Sequence, residues 1–270
     1  MENYQNIKFP TEKCLELMVY EEEKIRMSTE YQDECTKVKN IVNGWLDVSA
    51  DVQKRVANKF GFIDNISCDI AVNMLRRARY IYPNNNIFKT VPVYVRQNKA
   101  NEGIYKVGDD IDDVLLYSIN KDPVNFKNLL QLEKINLVLV SSTTWQPFRA
   151  HLTVLQDFYE SIKDKINMFA IYITEAHAID VWNIGESAGE LIESHKNIND
   201  RINCMSKLKS KFDLTIPIYA DNMNNEFESQ YSCWPFRYFL IKNNKFIEIG
   251  SPDDSQFDIC ELISSINKLL

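Results

Sequence analysis

The sequence predicts an α/β fold preceded by a helical region, and three features of the chain support this. Apolar residues recur at spacings of three and four through most of residues 10–82, as in amphipathic helices. Pro83 and the three asparagines after it break that pattern. Beyond residue 105, short apolar runs alternate with helical stripes, as layered α/β proteins require. We therefore expect helices over residues 1–83, an extended linker over 84–104 and an α/β domain over 105–270.

Composition narrows the class of protein. The chain has 270 residues, of which 45% are hydrophobic, enough for a sizeable core. Its net charge of −7 argues against nucleic acid and anionic membrane surfaces as partners. The first residues lack the apolar core of a signal peptide, and no stretch approaches the roughly 18 apolar residues of a membrane span. We expect a soluble, cytoplasmic protein.

Cysteine usage agrees with a reducing compartment. The six cysteines lie far apart, without a Cys-x-x-Cys pair and without the close Cys/His spacing of a zinc site. We therefore expect mostly packed, reduced thiols and no metal centre.

The helical region divides into several amphipathic helices. One apolar stripe runs from Cys35 to Trp45, and another runs from Ile70 to Ile81. Ser49 and Ser67 are suitable N-caps, and Gly61 is a suitable C-terminal stop. After the break at Pro83, the run from Thr90 to Val95 is predicted to be extended.

The α/β part contains six predicted strands, at residues 114–119, 137–140, 168–173, 216–219, 238–241 and 246–249. The runs at 137–140 and 168–173 are almost wholly apolar, which suits the covered centre of a sheet. The last two strands are joined by Lys242-Asn-Asn-Lys245, a hairpin signal. The order of strands, helices, hairpin and final helix is that of thioredoxin-like folds, which have a central mixed sheet.

The segment from Leu137 to Phe148 is the most informative part of the chain. It joins a buried strand to a short polar turn and to a helix predicted to begin near Pro147. Thioredoxin-like folds present a nucleophile at this helix N-terminus, where free N–H groups and the helix dipole stabilise a thiolate or selenolate. Trp145 occupies that place, and an indole can neither ionise nor attack a substrate.

Four ordered motifs carry a family resemblance. They are Ser142-Thr-Thr-Trp-Gln-Pro-Phe148, Ile171-Tyr-Ile-Thr-Glu-Ala-His-Ala-Ile-Asp-Val-Trp182, His195 with Arg201, and Ala220-Asp-Asn-Met223 followed by Trp234-Pro-Phe-Arg-Tyr-Phe-Leu-Ile241. From about Val107 onward the chain resembles the iodothyronine deiodinases, selenoenzymes of the thioredoxin superfamily that remove iodine from thyroid hormones.

The resemblance implies a set of site residues. The family's selenocysteine aligns with Trp145, and the cysteine before it aligns with Thr143. His177 and Glu175 complete the catalytic set that the resemblance implies. The residues that it implies for substrate binding are His195, Phe148, Pro235, Arg237 and Trp182. Pro235 stands where thioredoxin-like folds hold a cis-proline. Two family residues are replaced, an acid by Phe236 and an arginine by Pro252.

The resemblance also implies partners. These are a small aromatic substrate, specifically an iodinated phenol like thyroid hormone, and an external thiol or dithiol reductant. No cofactor is expected to be tightly bound, and the family tends to form homodimers through the thioredoxin-like domain.

Two interpretations of Trp145 remain open. Selenocysteine is encoded by UGA, one base from the tryptophan codon UGG, so the tryptophan can stand for a selenocysteine of a working reductive enzyme. If the tryptophan is genuine, the protein is a pseudoenzyme or an aromatic-ligand-binding protein whose indole fills the place of the nucleophile.

Two further alternatives do not depend on Trp145. One is a peroxiredoxin-like thiol reductase that uses Cys233, although a buried, inert thiol is the commoner role of such a residue. The other is an interaction protein built around the helical region.

Overall fold

The computed structural model describes residues 7–250 and 257–270 and divides into two compact units. One unit, here called the helical unit, takes the chain up to Asn98 together with Trp182–Ser187. The other, here called the α/β unit, takes Lys99–Val181 and Ala188–Leu270. Contacts thus divide the chain at residue 98, within the segment expected to link the two parts.

The helical unit contains α1 (Glu12–Arg26), α2 (Thr29–Lys37), α3 (Gly44–Lys59), α4 (Asn65–Ile81), α5 (Ile87–Thr90) and α6 (Val93–Arg96). Three of these helices begin where a side-chain oxygen accepts a backbone N–H of the first turn. Thr11, Ser28 and Asp64 cap α1, α2 and α4 in this way. Gly61, with φ of +89°, follows α3 as a C-terminal stop, as predicted.

Several local expectations for the helical unit are wrong. The stripe from Cys35 to Trp45 is not one helix, because α2 ends at Lys37 and Asn43 adopts a left-handed conformation before α3. Ser67 lies inside α4, because Asp64, three residues earlier, accepts its N–H at 2.9 Å and takes the cap position. Ser49 likewise lies inside α3, where its hydroxyl serves a buried polar network.

The run from Thr90 to Val95, predicted to be extended, forms the short helices α5 and α6 instead. The β-branched residues favoured a strand, but tertiary contacts override that preference. Val93 is fully buried, and its N–H donates to the Glu23 carboxylate at 2.9 Å, which satisfies the first turn of α6.

The helical unit is built around a buried ion pair. Glu22 and Arg26, one turn apart on α1, are 1% and 4% exposed and meet at 2.8 Å. Gln53 and Tyr94 also donate to Glu22, at 2.9 and 3.2 Å. Arg26 donates to Ser49 at 2.9 Å. The carboxylate is therefore paired and hydrogen-bonded, as a buried charge requires.

The α/β unit has one sheet of seven strands among the described residues, in the order β2-β1-β5-β4-β3-β6-β7. The strands are β1 (Leu115–Tyr117), β2 (Pro123–Asn125), β3 (Asn136–Ser141), β4 (Asn167–Tyr172), β5 (Ile218–Asp221), β6 (Arg237–Lys242) and β7 (Lys245–Ile249). The helices are α7 (Phe126–Leu129), α8 (Gln146–Ala150), α9 (Leu152–Ile162), α10 (Ile198–Lys211), α11 (Glu226–Gln230) and α12 (Ile259–Leu269).

The sheet is mixed and has the thioredoxin-like arrangement that the sequence predicts. Strands β3, β4 and β5 are parallel, whereas β6 runs antiparallel to β3 and continues into the hairpin with β7. Strand β3 is buried along its whole length between β4 and β6. The hairpin turns at Asn243 and Asn244, both with positive φ, as predicted.

One strand was not predicted. Strand β2 begins with Pro123 and lies at the edge of the sheet, the position to which a proline is confined because it cannot donate a ladder hydrogen bond. Within the two described ranges, no helix is both long and apolar enough to cross a bilayer.

Candidate functional site

The candidate site lies at the carboxyl end of β3, where the chain turns into α8. Strand β3 ends at Ser141, and α8 begins at Gln146 with Pro147 in its first turn, so the predicted helix start near Pro147 is confirmed. Trp145 is the N-cap residue of α8 and supplies no side-chain cap. The turn therefore places residue 145 at the position where this fold presents a nucleophile.

Trp145 is buried in an aromatic cluster. Its indole is 3% exposed and stacks on Phe236, with ring centroids 5.0 Å apart and planes 8° apart. Phe148 and Phe257 contact Phe236 at centroid distances of 5.9 and 4.4 Å. Indole and phenyl rings therefore fill the space beside the start of α8.

Cis-Pro235 stands directly before this cluster. The Trp234–Pro235 bond is cis, which confirms the prediction. The carbonyl of Pro235 accepts a hydrogen bond from the Ser141 hydroxyl at 3.1 Å, which ties the start of β6 to the end of β3. Pro235 is thus held beside the turn that follows β3.

A buried carboxylate organises the polar side of the turn. Glu175 follows β4 and accepts from the N–H and hydroxyl of Thr144 at 2.9 and 2.7 Å. The Tyr172 hydroxyl also donates to Glu175 and contacts the Thr143 hydroxyl at 2.7 Å. A continuous hydrogen-bonded network therefore reaches the two residues before Trp145.

The charge of Glu175 is stabilised despite burial. Burial by itself raises the pKa of this carboxyl, but His195, Tyr172 and Thr144 together hold the pKa below its usual value. The carboxylate is ionised at neutral pH. Desolvation raises the pKa of the buried Tyr172 hydroxyl, and the negative charge of Glu175 raises it further.

His177 and His195 occupy different places around this carboxylate. His177 is 5% exposed, and its backbone N–H donates to the Thr144 hydroxyl at 3.0 Å. The side chain of His195 is 2% exposed, and its Nε2 lies 3.4 Å from Glu175 Oε1. Its Nδ1 accepts from Arg201 Nε at 3.3 Å. His195 therefore lies between a carboxylate and a guanidinium.

Arg149 holds the backbone of the same turn. Its Nη1 donates to the carbonyls of Thr143 and Ala188 at 2.5 and 2.7 Å. The guanidinium lies against Gly189, where an added Cβ would overlap Arg149 Cζ. Burial lowers the pKa of Arg149 to about 10, and the group remains charged at neutral pH.

The remaining predicted residues are placed elsewhere. Arg237 is 4% exposed and donates to the carbonyls of Gly250 and Glu102 at 2.7 and 3.0 Å. Trp182 belongs to the helical unit, where it packs edge-on against Trp45 with ring centroids 5.9 Å apart. Pro252 lies outside the described residues. The contacts of Arg237 and Trp182 are those of residues that hold backbone and core in place.

Cys233 lacks the environment of a reactive thiol. It is fully buried, and burial raises the pKa of its thiol well above the usual value, with Glu228 and Asp221 adding to the effect. Reactive cysteines need exposure and a lowered pKa. The structure therefore favours the buried, inert role for Cys233.

Glu175, His195 and Cys204 also form a cluster whose ligand atoms all lie within 4.8 Å of one another. Sequence spacing gave no sign of it, because the three residues come from the end of β4, the loop before α10 and α10 itself. Burial raises the pKa of the Cys204 thiol to about 11, and Glu175 contributes in the same direction. The thiol is therefore protonated at neutral pH.

Sequence reasoning missed Tyr172, Thr144 and Arg149 as parts of the site. Tyr172 is the last residue of an apolar strand, and its hydroxyl was the only signal there that a polar partner had to be nearby. Thr144 and Arg149 flank Trp145, but their partners come from distant parts of the chain.

Fold and site together define a thioredoxin-like protein that carries tryptophan in the turn between β3 and α8. Comparison with known proteins makes the assignment more specific. The sequence profile of the iodothyronine deiodinase family matches residues 99–270, which include the whole α/β unit and the segment Trp182–Ser187. The chain belongs to the iodothyronine deiodinase family.

The chain is similar to two curated deiodinases at low identity. It is 27% identical over 109 residues to the type I iodothyronine deiodinase of Xenopus laevis, covering 40% of this chain and 42% of that protein. It is 26% identical over 121 residues to the thyroxine 5-deiodinase of Gallus gallus, covering 45% and 46%. The chain thus spans under half the length of these relatives.

Solved structures give more distant matches. A putative protein disulfide isomerase from Bacteroides thetaiotaomicron matches 63% of this chain and 94% of its own, with a TM-score of 0.44 and 15% identity. A peroxiredoxin-like protein from Aquifex aeolicus matches 62% and 88%, with a TM-score of 0.41 and 10% identity.

Proposed function

We propose that this chain, with Trp145 as in the printed sequence, is a catalytically silent member of the deiodinase family. The observation that carries the proposal is the buried stack of Trp145 on Phe236 at the start of α8. An indole at this place offers no lone pair for attack on iodine, and its rings take the space that a substrate ring would need.

A second departure from the family pattern supports a genuine tryptophan. Phe236 stands where the resemblance puts an acidic residue, and it is the partner on which the indole stacks. A carboxylate in its place would be buried against apolar rings, at a large desolvation cost. Trp145 and Phe236, the two residues that differ from the family pattern, therefore pack together in one apolar cluster.

Selenocysteine at position 145 is the second candidate, and the intact polar network favours it. The network from Thr144 through Glu175 to His195 lies beside the turn and is of the kind that moves protons during catalysis. With selenium at residue 145, the helix N-terminus would stabilise a selenolate.

The chemistry of that candidate balances with an external thiol. The selenolate attacks the iodine of an iodinated phenol, and the C–I bond electrons pass to carbon, which takes a proton from the network. Two external thiol groups then reduce the selenium–iodine bond, releasing iodide and a proton, forming a disulfide and regenerating the selenol. The substrate class is an iodinated phenol such as a thyroid hormone.

Iodide release tests the proposal directly. The chain with Trp145 is incubated with an iodothyronine and dithiothreitol beside a Trp145→Phe control and a Trp145→Sec variant. We expect neither the unmodified chain nor the Trp145→Phe control to release iodide above a denatured sample. Iodide release by the unmodified chain that exceeds both the denatured sample and Trp145→Phe would overturn the silent assignment.

The selenocysteine variant separates loss of the nucleophile from loss of the scaffold. Release of iodide by this variant alone indicates that the framework still supports deiodination and lacks only selenium. A folded but inactive variant indicates that the aromatic cluster has also closed the site to substrate.

The peroxiredoxin-like alternative makes a separate prediction. Because the Cys233 thiol is buried and its pKa is raised, we expect Cys233→Ser to leave any thiol-dependent peroxide reduction unchanged. A loss of peroxide reduction in a folded Cys233→Ser variant would restore that alternative.

A further inference from the structure

We propose that Arg201 is a positioning residue that keeps the proton of neutral His195 on Nε2, so that the cluster of Glu175, His195 and Cys204 acts as an acid–base pair and not as a metal centre. The proposal rests on contacts around His195 and holds for either residue at position 145. It goes beyond the proposed function because it says which nitrogen of His195 carries the proton and which residue keeps it there.

The Arg201 guanidinium is fixed at both of its terminal nitrogens. Arg201 is 1% exposed, and its Nη1 donates to the carbonyls of Asp221 and Asn222 at 3.1 and 2.7 Å. Its Nη2 donates to Asn225 Oδ1 at 2.7 Å. Because the guanidinium is planar and rigid, these bonds also fix the direction of the Nε–H group. That group points at His195 Nδ1, 3.3 Å away.

The chemistry of the two groups then decides the tautomer. Arginine has five N–H donors and no acceptor, so His195 Nδ1 must offer its lone pair. A neutral imidazole with a lone pair on Nδ1 carries its proton on Nε2. Nε2 faces the Glu175 carboxylate at 3.4 Å, which is long for a hydrogen bond and is better described as an electrostatic contact. The N–H nevertheless faces a negative charge.

The same constraint works against metal binding. A metal-bound histidine gives the lone pair of one nitrogen to the metal and donates the N–H of the other. Binding through Nε2 would leave an N–H on Nδ1 facing the Nε–H of Arg201, and two donors repel. The three ligand types at this spacing would otherwise suit a transition metal with an open coordination position.

Nitrogen NMR of the unmodified protein provides the primary test. The chain has three histidines, so ¹⁵N-histidine labelling gives few signals, and His195→Gln assigns the one of interest. At about pH 8, above the ordinary imidazole pKa of about 6.5, we expect the Nε2–H tautomer for His195. A predominant Nδ1–H tautomer would overturn the proposal.

Two arginine variants separate positioning from general packing. Arg201→Met removes the donor to Nδ1, and we expect His195 to change to a mixture of tautomers. Arg237→Met is the matched control, because Arg237 is also a buried arginine bound to backbone carbonyls but is not hydrogen-bonded to His195. It should leave the tautomer unchanged. An unaltered tautomer in a folded Arg201→Met variant would contradict the role of Arg201.

Cobalt provides a second test that does not depend on the stability of a variant. We expect Co²⁺ to give no thiolate-to-metal charge-transfer band from Cys204 in the unmodified protein. A band present in that protein and lost in Cys204→Ser would show a metal centre and overturn the proposal.

Discussion

Each of the two units buries a glutamate near an arginine, yet the two arrangements differ in what lies between the charges. In the helical unit, Arg26 contacts Glu22 directly at 2.8 Å. In the α/β unit, the His195 imidazole lies between Glu175 and Arg201. Both carboxylates are almost wholly shielded from water, so burial does not distinguish them.

The difference lies in the protons that each network can move. A guanidinium stays protonated, so the direct pair of Glu22 and Arg26 contains no group suited to proton transfer at neutral pH. An imidazole titrates near neutrality and can pass a proton between its nitrogens and a neighbour. We infer that the first network holds a helical core together and that the second contains a group able to transfer protons.

Breaking the direct pair should have the largest effect. Arg26→Met leaves Glu22 buried without its cation, which typically costs about 3–5 kcal/mol in the free energy of unfolding. Calorimetry or urea unfolding measures this loss. The double variant Glu22→Leu with Arg26→Met removes the stranded charge and should recover at least half of the loss. A single-variant loss below about 1 kcal/mol would remove the distinction between the networks.

Glu175→Gln should have a smaller and pH-dependent effect. The carboxylate accepts hydrogen bonds at both of its oxygens, whereas the amide has one accepting oxygen and turns its NH2 group toward either the Thr144 donors or the Tyr172 hydroxyl. We therefore expect a loss of about 1–3 kcal/mol in the free energy of unfolding at pH 7. Because the folded-state pKa of Glu175 is lowered, its stabilisation is present above the unfolded pKa of about 4.3. That stabilisation disappears as the pH falls through the folded-state value, so the difference between variant and parent should shrink in acid.

Glu193→Gln is the control for this measurement. Glu193 lies in an exposed ion pair with Lys196, with side-chain exposures of 59% and 72%. We expect no measurable change in stability at any pH where the protein folds. An equal loss from both substitutions would show that the buried network contributes no more than a surface charge.

Gly189→Ala should test how firmly the turn is held. The residue has φ of +84°, and an added Cβ would overlap the Arg149 guanidinium. Gly108→Ala is the matched control, since Gly108 has φ of +95° with nothing within 4 Å of its Cβ. We expect Gly108→Ala to lose about 1 kcal/mol in the free energy of unfolding, because only the left-handed backbone conformation disfavours a side chain there. We expect Gly189→Ala to lose about 1 kcal/mol more in thermal unfolding; equal losses would contradict the Arg149 contact.

The smallest expected effect is the contribution of Asp221 to the pH dependence of stability. Acidification strengthens this contribution, whereas it weakens that of Glu175. Burial raises the pKa of the Asp221 carboxyl from 3.8 to about 6, although it accepts N–H groups of Phe227 and Glu228. The folded state therefore takes up a proton first as the pH falls, so this group stabilises the protein on acidification. We expect a gain of about 1 kcal/mol from pH 7 to pH 5 relative to Asp221→Asn. A loss over that range would contradict the raised pKa.

The sequence predicts elements whose signals are local. Strand β3, the hairpin at Asn243 and the turn before α8 each follow from a few adjacent residues. Errors arise where a neighbour competes, as when Asp64 caps α4 in place of Ser67, or where tertiary contacts override a local preference, as at Val93.

The site is less predictable because its contacts are distant in sequence. The resemblance placed Trp145, His177 and Glu175 around one turn. It gave no indication that Trp145 stacks on Phe236 or that Arg201 faces His195 Nδ1. These contacts join residues from different elements, and only the folded chain brings them together.

The intact mass of the protein isolated from its native source tests the central claim most directly. We predict the mass of the printed sequence with tryptophan at position 145 and no selenium isotope pattern. A mass that fits selenocysteine at this position, with the isotope envelope of selenium, would contradict the silent assignment and make the protein a candidate deiodinase.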